Sequence, residues 1–281
     1  MPRSVERVNM NPRLDELLVE RGFFDDLHAA AAAILAGEVV VGEHRQTNAG
    51  LRVKPDVDVR LKGQNAFVSR GGKKLEGALK AFDFSPKGLH CADLGASSGG
   101  FTDCLLKAGA AHVSSIDVNY GQFAWSLRTD ERVSLYERTN VRGINVEAVG
   151  GPFDLVVGDL SFVSIRTLMP DFVRLMREGG HLIMLVKPQF EVAREQVEQG
   201  GIVRSEQTHK EVLRDVCACC GTEGLDVLGL AFSPIKGPKG NIEFLLMASK
   251  CATNSCGRAT ISEDTICKVV ESAHSSLGGA Q

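Results

Sequence analysis

The 281-residue sequence has no apolar run near the ~18–20 residues that a membrane-spanning helix requires. The longest candidate, Ala29 to Gly37, is mostly alanine and ends early. The first residues, MPRSVERVNMNPR, carry charge with no apolar stretch behind them, so a secretory signal is not expected and the default compartment is the cytoplasm. An excess of positive charge is also missing: Lys+Arg is 32 against Asp+Glu 35. A chain holding duplex nucleic acid by bulk charge would be far more basic, so any such role must rest on local patches. No internal repeat is visible. Matched zinc knuckles are absent too. Cys217-Ala218-Cys219-Cys220 contains one C-x-x-C, but Cys251 and Cys256 are spaced differently. Eight cysteines in an intracellular chain of this size read as reduced thiols, and no metal site is expected.

What is present is ordinary globular composition, 43% hydrophobic and 24% charged, long enough for about two domains. Residues 1–12 read as a flexible leader. From Arg13, Leu14, Leu17, Leu18, Ala29, Ala32, Ile34 and Leu35 fall at helical spacing. Gly22 and Gly37 suit the helix ends, and short alternating strands follow. This predicts a small α+β unit over 13–62 and a polar linker over 63–67. Over 68–249 apolar strands alternate with helices, the pattern of a parallel sheet covered on both faces. LDVLGLAF and NIEFLLM, joined by a Gly/Pro/Lys loop with no room for a helix, add an antiparallel hairpin. Residues 250–281, rich in Ser, Thr and Gly, are expected to be poorly ordered.

Ligands of open α/β sheets bind at the carboxyl ends of the strands, near the point where strand order reverses. Asp93-Leu94-Gly95-Ala96-Ser97-Ser98-Gly99-Gly100 ends the first such strand and opens a helix, and Asp117 ends the second. Glycines let backbone approach a ligand, and a carboxylate at Asp117 can take both hydroxyls of a ribose. The loop lacks G-x-G-x-x-G, and an aspartate before it suits an amine better than a pyrophosphate. That favours S-adenosylmethionine over a dinucleotide, with a plain tight turn as the bland alternative. Asp159, Lys187 and Glu243 are charges inside apolar strands, costly unless paired or functional. Between Arg60 and Lys87 seven basic residues face two acidic ones, a patch where a phosphate backbone could dock.

The motifs S-R-G-G-K-K-L, D-L-G-A-S-S-G-G-F-T-D, I-D-V-N-Y-G-Q, G-D-L-S-F and L-V-K-P-Q-F-E closely resemble the TlyA family, bacterial ribosomal RNA 2′-O-methyltransferases often labelled haemolysins. R-L-D-E-L-L with G-E-V-V-V-G resembles the S-four-type RNA-binding module, although this stretch is weakly acidic for an RNA binder. The resemblance implies a class I, Rossmann-like α/β methyltransferase sheet with a terminal antiparallel strand, preceded by a small α+β RNA-binding domain. It implies a catalytic tetrad of Lys74, Asp159, Lys187 and Glu243, Lys74 being chosen over Lys73 because it directly precedes Leu75. S-adenosylmethionine would be held by Asp93, Gly95, Ala96, Ser97, Ser98, Gly99, Gly100, Phe101, Asp117, Asn140 and Asp159. Arg13, Arg21, Arg60, Lys62, Arg70, Lys73 and Lys80 become candidate RNA contacts. The expected partner is ribosomal RNA or a ribosomal subunit, with no membrane partner and a monomeric chain. A free lysine, with pKa ~10.4, is too protonated to act as a base, but beside a second lysine and partly desolvated it would fall toward neutrality. On that basis Lys187 is the expected base, Lys74 orients the ribose and phosphate, and the carboxylates position both. The alternatives are a nicotinamide-dependent oxidoreductase and a membrane-lytic protein.

Overall fold

The computed structural model describes residues 11–42, 44–61, 66–251 and 261–278. Most of the leader and of the linker therefore lies outside the described residues, as does Lys62. The chain divides into two compact units, Met1–Ala66 and Phe67–Gln281.

In the first unit, helices α1 (Leu14–Glu20) and α2 (Leu27–Leu35) pack on a three-stranded antiparallel sheet of β1 (Val39–Val41), β2 (His44–Gln46) and β3 (Val59–Leu61), in the order β2-β1-β3. Asp26 starts α2 by accepting a hydrogen bond from Ala29 N at 2.8 Å. The α1 leucines are buried where their spacing puts them. In α2 the buried face is Ala30, Ala33 and Ile34, while Leu35 is 68% exposed, which corrects the expected stripe. An unbroken alanine run carries no phase, so only tertiary packing selects the buried face.

The second unit runs α3 (Gly71–Ala81), β4 (His90–Leu94), α4 (Gly100–Lys107), β5 (His112–Ile116), α5 (Trp125–Arg128), β6 (Val133–Tyr136), β7 (Phe153–Gly158), α6 (Met169–Leu175), β8 (Met176–Val186), α7 (Pro188–Glu191), α8 (Glu206–Thr222), β9 (Leu225–Phe232), β10 (Phe244–Lys250) and α9 (Glu263–Leu277). Its seven strands lie in the order β6-β5-β4-β7-β8-β10-β9. The first five are mutually parallel, whereas β10 is antiparallel to both β8 and β9. From β4 the chain winds outward to β6, then returns to place β7 on the other side, so strand order reverses at β4. Separate apolar cores fill the two faces of the sheet.

Within the expected disordered tail, residues 261–278 are instead built around a helix. Ser262 caps α9 by accepting from Thr265 N at 3.2 Å, and Ile266, Val270 and Ala273 form a buried stripe with one-turn spacing. These residues join the core on the α6–α8 face. Polar composition concealed an amphipathic helix of 15 residues, whose partly buried Val269 and Leu277 pack against the same core. The cysteines need one correction. Cys91, Cys104, Cys217, Cys219, Cys220 and Cys267 are free thiols, whereas Cys251 is disulfide-bonded. Composition and compartment cannot show whether two thiols come within bonding reach.

Candidate active site

The four charges singled out above meet at the carboxyl rim of the large sheet. Asp159 directly follows β7 and Lys187 directly follows β8. Glu243 directly precedes β10, and because β10 runs antiparallel its start lies at that same rim. The pairing of Phe244 with Val186 sets Glu243 beside Lys187 in register. Lys74 arrives from α3, whose first turn touches the first turn of α4. That contact depends on glycine: a Cβ on Gly100 would lie 2.3 Å from Ser69 Oγ and 2.9 Å from Gly72 N. The paired glycines of S-R-G-G and S-S-G-G thus let two helix starts interlock, and α3 turns Lys74 inward while Lys73 stays exposed.

Asp159 bridges both lysines, with Oδ2 3.2 Å from Lys74 Nζ and Oδ1 2.6 Å from Lys187 Nζ. Glu243 Oε2 lies 2.8 Å from Lys74 Nζ. Lys74, Lys187 and Glu243 are 6%, 8% and 1% exposed, so these ions are held in a low-dielectric rim. Burial opposes charge on Lys74, but Asp159 and Glu243 outweigh it and hold its pKa above the ordinary lysine value. Burial likewise works against the charge of Asp159, but the two lysines prevail and keep its carboxyl below the usual range. Glu243 goes the other way: burial and repulsion from Asp159 exceed the pull of Lys74 and raise it. Asp159 is the firm anion of the set.

The neighbouring half of the rim is built of backbone. Gly95, Ser97 and Gly99 adopt φ of +77°, +50° and +92°. A Cβ on Gly99 would strike Leu127 Cδ1 at 2.4 Å, so this position requires glycine for space as well as conformation. Asp117, just past β5, accepts Ser97 N and Asn119 N, both at 2.7 Å, and fixes the loop to the strand. A tight recess, without room for a water molecule, lies there between Ser97, Asp117, Asn119, Phe123, Leu135 and Glu137. Asp93 is fully buried. Its Oδ2 accepts from Thr102 N and Oγ1 at 2.9 and 2.6 Å, while Oδ1 has no hydrogen-bond partner. Burial pushes this carboxyl up to about 7, despite both bonds from Thr102, with Asp159 and Asp117 adding repulsion.

Of the other candidates, Ala96, Ser98 and Phe101 sit in or just beyond this loop. Asn140 is exposed and its side-chain oxygen accepts from Arg142 N at 2.9 Å, a local turn outside the recess. Arg70 immediately precedes α3, and Lys73 and Lys80 share an exposed face of that helix, two turns apart. In the first unit, Arg13 is committed to Asp15 at 2.6 Å and Arg21 to the carbonyls of Val57 and Pro55. Arg60 lies in β3, half-buried. Two contributors lay unremarked inside quoted motifs. Ser161 accepts from Lys187 Nζ at 2.8 Å. Glu191 braces the loop after β7 by accepting Ser164 Oγ at 2.6 Å, Ile165 N at 2.8 Å and Arg166 Nε at 3.1 Å. Both follow a tetrad residue within a few positions, and that adjacency was the only available signal. Among the described residues no group of three or more His, Cys, Asp or Glu could hold a metal, and no helix is long and apolar enough to cross a membrane.

A sheet of this strand order, with one antiparallel hairpin and a glycine loop at the reversal point, defines a class I methyltransferase. The FtsJ-like methyltransferase family matches residues 67–250. The 16S/23S rRNA (cytidine-2′-O)-methyltransferase TlyA of Mycobacterium tuberculosis is 44% identical over 83% of this chain and 88% of its own length. Hemolysin A of Brachyspira hyodysenteriae is 37% identical over 83% and 98%. A solved hemolysin structure from Streptococcus thermophilus, 37% identical, superposes with a TM-score of 0.74 over 96% of this chain and 98% of that one. The chain belongs to the FtsJ-like methyltransferase family, in its TlyA branch. Its cofactor is S-adenosylmethionine, which carries an amine and a ribose diol. The buried, unpartnered Asp93 Oδ1 and the glycine loop beside Asp117 fit such a group.

Proposed function

We propose that this chain methylates the ribose 2′-hydroxyl of cytidine in ribosomal RNA of the small subunit, the large subunit or both. The observation that carries this reading is the single carboxylate of Asp159 shared by two nearly buried lysines at the rim, beside the cofactor loop. A ribose hydroxyl is a poor nucleophile, and this cluster supplies what it lacks. Lys187 is the base that takes the hydroxyl proton. Lys74, kept cationic by Asp159 and Glu243, orients the ribose and its phosphate. S-adenosylmethionine supplies an electrophilic methyl group on a sulfonium. Holding the acceptor oxygen in line contributes ~7–11 kcal/mol in such reactions. Asp93, the Gly95–Phe101 loop and Asp117 hold the cofactor, with Asn140 at the edge of that region. The Phe162 ring, 90% exposed and 5.3 Å from that of Phe190, offers a face on which the target base can stack. Arg70, Lys73 and Lys80 grip the RNA backbone from α3. The first unit acts as an S-four-type docking module, to which Arg13, Arg21, Arg60 and Lys62 contribute. The enzyme works in the cytoplasm as a monomer.

The test is methyl transfer from labelled S-adenosylmethionine to isolated ribosomal subunits and naked ribosomal RNA, followed by nucleoside mass spectrometry. The expected product is 2′-O-methylcytidine. A base-methylated nucleoside, or no transfer to either RNA, would overturn the reading.

A further inference from the structure

Lys187 has a proton problem that the tetrad alone does not solve. It is 8% exposed and its ammonium is held by Asp159 Oδ1 at 2.6 Å. A base must first give up a proton, and the side facing Asp159 is held in the shortest ion pair of the cluster, which retains its proton. A second side of the ammonium faces the Phe190 ring, whose centroid is 6.0 Å away. The remaining contact is Ser161 Oγ, at 2.8 Å, and Ser161 is exposed. Of the two polar side chains that touch Lys187 Nζ among the described residues, Ser161 is exposed, whereas the contacting oxygen of Asp159, Oδ1, is buried. The other charged groups around Lys187 do not offer this path. Lys74 and Glu243 lie across Asp159, and Glu191 of α7 is committed to Ser164, Ile165 and Arg166.

We propose that Ser161 is a positioning residue for Lys187 and the route by which its proton leaves. This rests on the methyltransferase reading above. The Lys187 ammonium passes one proton to Ser161 Oγ as the serine hydroxyl proton passes to a water, leaving a neutral amine and one hydronium. The amine lone pair then takes the proton of the ribose 2′-hydroxyl while the oxygen electron pair bonds to the methyl carbon and the carbon–sulfur pair stays on sulfur. Lys187 returns to the ammonium form and the cycle repeats. Ser161 ends each turnover unchanged. Its placement follows from the fold: it sits two residues beyond Asp159, in the loop that Glu191 braces from the far side.

The experiment compares the full-length wild-type chain with Ser161→Ala and Ser161→Thr. For S161A, kcat should fall about 10–100-fold, within the range of general acid–base effects. KM for RNA and cofactor affinity by calorimetry should stay within about threefold of wild type. The kcat deficit should shrink as pH rises, because hydroxide can then remove the proton without the serine. S161T keeps a hydroxyl and should recover to within about threefold of wild type. A second readout needs neither RNA nor cofactor: exchange of the Lys187 ammonium protons with water, followed by NMR on ¹⁵N-lysine-labelled protein, should slow in S161A. S161A activity within twofold of wild type at every pH, with unchanged exchange, would overturn the proposal. So would a pH-independent loss that threonine does not restore. A wild-type chain inactive on RNA would instead overturn the function proposed above, and the exchange measurement would still decide the role of Ser161.

Discussion

The two halves of the rim solve opposite problems. Around β4 and β5, recognition is built from backbone: glycines at positive φ, and an Asp117 whose oxygens both accept loop amides. Around β7, β8 and β10, function is built from charge that water barely reaches, four ionisable groups with Asp159 at their centre. The difference is instructive because the sheet is continuous beneath both. Parallel strands present loops, which suit shape recognition. The antiparallel β10 instead presents a strand start, and that brings Glu243 to a rim otherwise composed of strand ends. Burial does not separate the two halves, since Asp93 and Asp117 are as enclosed as Lys74 and Lys187; what differs is that one half is backbone and the other is paired charge.

The largest expected effect is on the charged half. Asp159→Asn removes the one counter-ion common to both lysines and leaves buried cations underpaired. Methyl transfer should fall about 10²–10⁴-fold and stability by about 3–5 kcal/mol, read by turnover and by denaturant melts. Unchanged stability would show that water already screens the cluster.

Acid should act behind the charged half. His209 on α8 is fully buried, with Nε2 3.1 Å from Val203 O and Nδ1 2.9 Å from His274 Nε2 on α9. Burial, with a smaller push from His274, lowers its pKa to about 4 from the ordinary 6.5. A depressed histidine contributes stability that is fully present above about pH 6.5 and is lost as pH falls toward about 4, up to ~3 kcal/mol. Asp93, pushed up to about 7, has the opposite sign: its contribution is full at low pH and wanes as pH rises toward that value. Wild type minus His209→Gln therefore isolates the histidine in melts from pH 7 to 4. Parallel curves would exclude it as the acid-sensitive element.

Removing the first unit should separate docking from chemistry. A 67–281 fragment is expected to bind S-adenosylmethionine as the full chain does but to methylate ribosomal RNA about 10–100-fold more slowly, with a shallower salt dependence of RNA affinity. Equal rates would reduce the first unit to a tether. The smallest effect belongs to the backbone half. Asp117→Ala should weaken cofactor binding by about 1–3 kcal/mol in calorimetry, since its charge-assisted hydrogen bonds to ligand and loop are lost. Unchanged affinity would place the ribose elsewhere.

The rim was legible in the sequence where charge interrupts apolar runs. Asp159 and Lys187 end strands, and a buried ion is too costly to be incidental, so pattern alone singled them out. Glu243 was equally visible, though its proximity to Lys187 depends on β10 running antiparallel, as the short Gly/Pro/Lys loop implied. Lys74 was not legible by pattern, because nothing in K-K distinguishes the inward lysine. Its place came from resemblance, and the glycine interlock of α3 with α4 supplies the physical reason. The phase of α2 escaped because polyalanine carries no periodic signal, and α9 because the Ser, Thr and Gly content around it outweighed the helical spacing of Ile266, Val269, Val270, Ala273 and Leu277. Ser161 escaped because a serine after a strand reads as loop until the lysine facing it is known.

The division between the two halves is tested most directly by Lys187→Ala, with both functions measured on one preparation. Calorimetry should give an S-adenosylmethionine affinity within about twofold of wild type, while methyl transfer to ribosomal RNA falls by about 10²–10⁴-fold. Activity within a few-fold of wild type would show that Lys187 is not the base. A loss of cofactor affinity matching the loss of turnover would show that the halves are not separable.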